Sequence, residues 1–371
     1  MQNPDSRKEK GERIANTEDQ IVRINRGAYR VKSQSSDKWY DVIAIESGWR
    51  CTCADCRCRK VCCKHIHAVE FSIKLREQVK KNVVIQPITI QVCQFCNSDK
   101  IVKNALRHNK YGNIQRYLCK SCNKRFSINL GFEKMKASPQ TITNAMQLYF
   151  TGESLRNVTK FLRLQGIEVS HVTIYRWIEK YTGLMQKYLE QITPQVSDTW
   201  RADEVWVKIN GNLKYLFAMM DDQTRYWLAQ EVADTKFTHD AQNLFIKSSE
   251  VAGKKPMTLI TDGLHSYKEA FMKQYWTQKY PRTRHIHFAS IKGSHNNNKM
   301  ERMNGEFRDR EKVMRGLKKT DTPILTGYQL FHNYIRPHMS LEGKTPSEMA
   351  GIKIEGGNKW ITLIQNASKT K

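Results

Sequence analysis

Three acidic residues stand out by type and position: Asp203, Asp262 and Glu301. Asp203 lies in the alternating run TWRADEVWVKI. Asp262 closes the apolar run MTLITD ahead of Gly263, and Glu301 falls on a helix-like stretch that begins near Asn296. Hard divalent cations such as Mg²⁺ take a few carboxylate oxygens and keep open positions for water and phosphate. Two such ions about 3.5–4 Å apart activate an attacking oxygen and steady a leaving one. These carboxylates, once brought together, would therefore suit phosphodiester chemistry with two Mg²⁺ (or Mn²⁺) ions per site. Each has rivals close by, namely Glu204, Asp221 and Asp222 for Asp203, and Glu306 for Glu301. No glycine-rich phosphate loop accompanies them, so no nucleotide cofactor is expected.

A second kind of chemistry is concentrated in the cysteines, all ten of which lie between Cys51 and Cys122. Cys51-Thr-Cys53 followed by Cys63-Lys-His65 supplies four donors in two tight pairs, a set suited to tetrahedral Zn²⁺. Cys56, Cys58 and Cys62 lie between them, as alternative ligands or unused thiols. Cys93-x-x-Cys96 and Cys119-x-x-Cys122 form two further knuckles. Both sets fill all four positions, so two structural Zn²⁺ ions are expected rather than an open catalytic site.

Charge narrows the partners. The chain has 371 residues, 62 Lys plus Arg against 36 Asp plus Glu, and a formal net charge of +26. Such an imbalance points to a polyanion, with nucleic acid favoured over a membrane surface. No apolar run approaches the roughly 20 residues that cross a bilayer. The opening MQNPDSRKEKGER lacks a signal peptide's apolar core, so a cytoplasmic location is expected.

The elements that would position these groups fall into segments. Residues 1–20 are almost devoid of apolar side chains and read as a disordered tail. Residues 21–91 carry strand-like runs (YRVKS, WYDVIAI), the first cysteine set and a helix-like stretch from His67 to Lys80. Residues 92–130 hold the second set. Across 138–187, Ser138, Ser154 and Ser170 precede three apolar-periodic helices. Ile142, Ala145, Met146 and Tyr149 are expected inward on the first. Leu155, Val158, Phe161 and Leu162 are expected inward on the second, and Val172, Ile174, Trp177 and Ile178 on the third. This is a helix-turn-helix pattern, leaving Ser170, His171, Thr173, Tyr175 and Arg176 to face DNA. From 196 to 351 three strands, the first two joined at Asn210-Gly211-Asn212, are followed by helix, strand, helix, strand (HIHFA) and a long basic helix. That order matches a ribonuclease-H-like fold. The fold class is multidomain α+β / α/β: small zinc modules, a three-helix unit and a mixed five-stranded sheet. Tyr334 and Trp206 are expected in the core, and the tail after Ile352 carries no signal.

Four motifs carry a resemblance: ADE around Asp203, ITDG around Asp262, NNNKMERMNGEFRDREKVMRGLK around Glu301, and YQLFHNYIRPHMSLEGKTPSEMAG. The stretch from about Trp200 to Ala350 resembles the DDE transposases of bacterial and archaeal insertion sequences. Asn297, Asn298, Glu301, Arg302, Asn304, Arg308, Arg310, Lys312, Arg315 and Gly316 fall on that family's pattern. The first cysteine set, with its strand pair and the helix KHIHAVEF, resembles a SWIM-type zinc finger, and the second a zinc ribbon. The resemblance implies that Asp203, Asp262 and Glu301 hold the catalytic metal ions, cut DNA at an element's ends and join it to a target. It implies terminal-repeat and target DNA as partners, at least a homodimer in the DNA complex, and a place at the nucleoid of a prokaryote. Arg302, Arg308, Arg310, Lys312, Arg315, Lys318 and Lys319 would hold phosphates beside the cut bond. Two departures are the 38 residues between Asp262 and Glu301, a longer interval than is usual, and the SWIM-like module itself. A catalytically silent DNA-binding regulator and a stand-alone nuclease are the competing readings.

Overall fold

The computed structural model describes residues 4–369 apart from 18, 26, 46–47, 79–81, 89–91, 94, 110–111, 128–129, 279–281, 288–296, 314–316 and 318–322. They divide into two compact units, one of Met1–Lys81 with Met257–Leu259 and Phe271–His285, the other of Asn82–Pro256, Ile260–Ala270 and Ile286–Lys371.

The first unit begins with helix α1 (Pro4–Ala15) and an antiparallel sheet of β1 (Ile21–Asn25), β2 (Ala28–Lys32), β3 (Trp39–Ile45) and β4 (Gly48–Cys51), in that order. Helices α2 (Ala54–Cys58) and α3 (Lys64–Gln78) follow. Helix α1 corrects the expectation of a disordered tail over residues 1–20. Its apolar content is small, but Ile14 is buried in a core with Tyr29, Val31, Val42 and Val69. Gly11 lets α1 lie directly on α3, since a Cβ there would come within 2.6 Å of His67 Cβ. One anchor and one missing side chain therefore stabilise a helix that composition alone disfavours.

The second unit opens with β5 (Val83–Ile85), so the first module ends near residue 81 rather than 91. A three-stranded antiparallel sheet, β6 (Ile101–Asn109), β7 (Gly112–Cys119) and β8 (Arg125–Ser127), carries the second cysteine set. Helices α4 (Pro139–Thr151), α5 (Leu155–Leu164) and α6 (His171–Leu189) come next. Their N-caps are the three serines read from the sequence. Ser138, Ser154 and Ser170 accept bonds from the backbone N–H groups of Thr141, Asn157 and Thr173 at 3.1, 3.1 and 3.2 Å, each contributing about 1 kcal/mol. Phe161 and Val172, expected inward, are 40% and 44% exposed. Phe161 flanks the narrow Val158–Leu162 stripe that α5 buries. Val172 stands two positions before buried Ile174, about 200° around the helix.

A five-stranded sheet has the order β11–β10–β9–β12–β13, with β9 (Thr199–Ile209), β10 (Asn212–Asp221), β11 (Trp227–Ala233), β12 (Thr258–Ile260) and β13 (Arg284–Ile286). Asn210 and Gly211 have φ of 50° and 83°, the left-handed pair that a two-residue hairpin turn between β9 and β10 requires. Helix α7 (Thr238–Ala252) precedes β12, α8 (His265–Gln274) follows it, and α9 (Asn298–Glu311) follows β13. Residues 288 and 289 of the HIHFA run lie outside the described residues. Helices α10 (Pro323–Leu330) and α11 (Pro346–Met349), strand β14 (Ile352–Ile354) and helix α12 (Lys359–Lys369) complete the order. The tail is therefore part of the core. Strand β14 pairs in parallel with β5, and α12 buries Trp360, Leu363 and Ile364. The Trp360 ring stacks 5.7 Å from Phe150 of α4.

Candidate metal centres and active site

In the first unit, one ligand atom from each of Cys51, Cys53, Cys63 and His65 lies within 4.8 Å of every other. All four side chains are buried. The end of β4, the loop after it, the residue ahead of α3 and the first turn of α3 deliver them. His65 Nδ1 stands 3.8 Å from the Cys51 sulfur and 3.9 Å from that of Cys63, with the Tyr40 ring packed 4.7 Å from the imidazole. A tetrahedral Zn²⁺ with bonds of about 2.3 Å to sulfur and 2.0–2.1 Å to nitrogen separates its ligand atoms by roughly 3.3–3.8 Å. The residues fit such an ion. Cys56 is not part of the set; its sulfur accepts the Cys51 backbone N–H at 3.3 Å. Cys58 is exposed.

Cys93, Cys96, Cys119 and Cys122 converge in the same way. Sulfur pairs 93–122 and 96–119 are 3.6 and 3.5 Å apart. Asn97 and Asn123, each directly after the second cysteine of a pair, both take φ near +55°. This repeated left-handed turn folds each knuckle back under its ion, and the two asparagines were its sequence signal. Backbone N–H groups of Cys122 and Ser121 hold the Cys119 thiol down to about 6, which favours the thiolate a metal needs.

The carboxylates belong to the second unit. Asp203 sits in mid-β9, where Asn304 Nδ2 of α9 donates to its Oδ2 at 2.9 Å. Asp262 lies in the loop beyond β12, which ends at Ile260 rather than at Asp262 as the sequence suggested. Thr261 N–H, bonded to the Ile286 carbonyl at 3.0 Å, keeps that loop beside β13, and Asp262 Oδ1 accepts the Leu264 N–H at 3.1 Å. Asp203 and Asp262 meet, and the third oxygen within 4.8 Å of both belongs to Glu204. Glu204 is already engaged: Lys236 Nζ lies 2.6 Å from Oε1, and the buried Tyr267 hydroxyl donates to Oε2 at 3.0 Å. Glu301 is exposed on the first turn of α9, three residues before Asn304, and stands outside that close cluster. Its charge nevertheless reaches Asp203. Burial first, then Glu204, Asp262 and Glu301, push the Asp203 carboxyl up to about 7.

The other rivals have structural partners. Asp221 accepts from Ser197 and from Thr224 N and Oγ1. Asp222 pairs with Arg201 and Lys299, and Glu306 takes both ends of the Arg336 guanidinium at 2.7 and 3.0 Å. Lys236 and Tyr267 escaped sequence reasoning, since they lie 32 and 63 residues from Glu204 and no local pattern marks either.

A raised Asp203 has a definite pH consequence. A carboxyl held above its unfolded value favours the fold below about pH 4. It disfavours the metal-free fold, by a few kcal/mol, as pH rises through about 7. A bound dication removes that repulsion. Added Mg²⁺ is therefore expected to raise the melting temperature more at pH 8 than at pH 6, with affinity falling about tenfold per unit below pH 7. Equal Mg²⁺-induced shifts at the two pH values would contradict this account.

The basic residues after Glu301 do not act as one row. Arg302 and Arg308 are exposed. Lys312 is exposed and paired with Asp309 at 2.7 Å. Arg310 is a correction: it is only 4% exposed, with its guanidinium 4.2 Å over the Tyr149 ring and one N–H on the Glu153 carbonyl. It fastens α9 to α4 instead of offering a phosphate contact. Arg315, Lys318 and Lys319 lie outside the described residues. On α6, Ser170 and His171 and Arg176 are exposed, Thr173 and Tyr175 half-buried; the Ser170 hydroxyl is committed to its cap. Tyr334 is buried as expected, bonded to Tyr226. Trp206 is not; it is 45% exposed and packs its ring 4.1 Å from Tyr215, because it points to the face of β9 that Lys236 only partly covers.

Known proteins resemble the same stretch of the chain. Residues 197–338 match the DDE domain family of the IS240 type. The transposase of the insertion sequence-like element IS431mec of Staphylococcus aureus is 31% identical over 123 residues, 32% of this chain and 53% of that protein. The transposase of IS257 in transposon Tn4003, also from Staphylococcus aureus, is 30% identical over 146 residues, 38% of this chain and 63% of the relative. The chain thus spans just over half to under two thirds of the curated relatives it matches. Among solved structures, the HTLV-2 integrase catalytic core domain in complex with magnesium is 15% identical, covering 43% of this chain and 98% of that one at a TM-score of 0.31, too low to weigh. No described helix is long and apolar enough to cross a membrane. The family match spans the positions of both aspartates and Glu301: residues 197–338 match a DDE domain, and the similar proteins are named as insertion-sequence transposases.

Proposed function

We propose that the chain is the transposase of an insertion sequence, which binds the ends of its element and carries out metal-dependent strand cleavage and strand transfer. The observation that carries this is the meeting of Asp203 and Asp262, 59 residues apart in the chain, within a DDE domain and under the charge of Glu301. Asp203 and Asp262 would hold two Mg²⁺ ions with Glu301 completing the set. When bound, such ions supply charge neutralisation at the attacking and leaving oxygens of a phosphodiester.

The protein's own groups prepare the site. Asn304 fixes one oxygen of Asp203. Lys236 and Tyr267 hold both oxygens of Glu204, which makes Glu204 a positioning residue rather than the third ligand. Glu301→Gln is expected to lower strand transfer about 10³-fold or more, and Glu204→Gln by about tenfold or less; the reverse ranking, read from the same joining assay, would make Glu204 the third ligand.

Helices α5 and α6 serve as a helix-turn-helix, with His171, Thr173, Tyr175 and Arg176 toward the major groove. The cysteine sets form a SWIM-type finger and a ribbon, each on structural Zn²⁺. Terminal-repeat DNA, target DNA and a second copy of the chain are the partners. The test is Mg²⁺-dependent nicking and joining of labelled DNA from the flanks of the gene, with wild type and Asp262→Ala. Cleavage at a discrete end position, lost in the variant, supports the reading. Tight, specific binding with no cleavage in Mg²⁺ or Mn²⁺ would instead identify a silent DNA-binding regulator.

A further inference from the structure

The start of α3 carries its ligand residues in duplicate: Cys62-Cys63 ahead of it, then His65 and His67 on its first turn. Cys63 and His65 belong to the buried set with Cys51 and Cys53. His67 is two positions from His65, about 200° around the helix, so it cannot share that set. It faces Cys62 and Glu70 instead, and one ligand atom from each of the three lies within 4.8 Å of the others.

We propose that Cys62, His67 and Glu70 form a second Zn²⁺ site in the first module, beside the buried one and open to solvent. His67 Nδ1 stands 3.2 Å from Glu70 Oε2 and 4.0 Å from the Cys62 sulfur. Zinc bonds of about 2.0–2.1 Å to nitrogen and oxygen and 2.3 Å to sulfur, at tetrahedral angles, predict roughly 3.3 and 3.6 Å. The buried neighbour deviates from the same ideal to a similar degree, at 3.8 and 3.9 Å. A simple His–Glu pair one helical turn apart explains the first distance but gives Cys62 no reason to be there. Glu70 is placed one turn after His67 by α3 itself, and Cys62 directly precedes Cys63, whose carbonyl accepts the Ile66 and His67 N–H groups, so the three donors lie beside backbone that carries the buried set.

The chemistry differs from that of the buried set. Cys62 is exposed, and His67 and Glu70 are half-buried. With three protein ligands, a fourth position is left for water or an external donor, as in zinc sites that exchange ligands rather than hold a fold together. The ion should therefore load last and leave first. Mixed sulfur, imidazole and carboxylate donors select Zn²⁺ over Mg²⁺ or Ca²⁺.

The experiment uses the full-length chain, loaded with Zn²⁺, desalted and assayed for metal per chain. Three equivalents are expected, one of which a mild chelator removes while two remain. Glu70→Gln and His67→Gln are expected to weaken that third ion by about tenfold or more, leaving two equivalents and an unchanged circular dichroism spectrum. Stepwise Co²⁺ titration of the metal-free wild-type chain gives an independent reading that needs no variant. There the last equivalent should show a thiolate charge-transfer band of single-sulfur intensity, absent in Cys62→Ser. Two equivalents in the wild type, or a third that survives in both α3 variants, would overturn the proposal.

Discussion

Replacing Asp203 or Asp262 by asparagine is expected to reduce Mg²⁺-dependent strand cleavage and joining by about 10³-fold or more, while affinity for element-end DNA changes little. The size follows from what the carboxylate does. Metal ions contribute several kcal/mol of transition-state charge stabilisation, and each 1.36 kcal/mol is tenfold in rate. The neutral amide keeps the shape and the Asn304 contact but removes the charge that attracts the ions. Asp203→Asn has a second, opposite effect. It removes a carboxylate that burial, Glu204 and Asp262 crowd, so the metal-free variant should melt higher than wild type above pH 7 and lose its Mg²⁺-induced shift. A variant that joins strands normally, or one that melts lower than wild type at pH 8, would each contradict the assignment. DNA binding measured on the same samples separates loss of chemistry from loss of recognition.

The other large effect is expected in the second cysteine module. Among the described residues its core consists of Cys93, Cys119 and Phe126, with Ile101, Tyr117 and Cys122 packed against them. Three buried side chains cannot offset the backbone entropy of three strands, so a bound Zn²⁺ would supply the folding energy, about 10–16 kcal/mol in small zinc modules at neutral pH. Strong chelation, or Cys119→Ser, should therefore unfold β6–β8 outright. Limited proteolysis should then cut between residues 95 and 127, and re-added Zn²⁺ should protect the wild type but not the variant. Persistent protection of this segment in the metal-free chain would show that the strands fold without the ion.

What could be read from the sequence was what local chemistry dictates. Asn210-Gly211 announces a hairpin because few other residues tolerate two successive positive φ values. Ser138, Ser154 and Ser170 announce helix starts because the cap bond spans three residues. The two four-ligand sets and the aspartates at Asp203 and Asp262 are equally local in type, even though their meeting is not. Several of the misses depend on distant partners. Helix α1 is stabilised by a crossing at Gly11 that only the path of α3 creates. Arg310 reads as one more surface cation until Tyr149, far earlier in the chain, slides beneath it. Glu204 looks like a rival ligand until Lys236 and Tyr267 occupy it. Strands β5 and β14 are triplets, too short for any periodicity to register.

That last pairing sets an order of events in synthesis. Val83–Ile85 can find its partner only after Ile352–Ile354 has left the ribosome. At about 5–20 residues per second, the early strand waits on the order of tens of seconds with its edge unpaired. The cysteine modules and the three capped helices are complete before then, whereas the two-stranded pairing of β5 with β14 waits for a segment made far later. Both cysteine modules and the three capped helices can thus form while the edge of β5 is still unpaired.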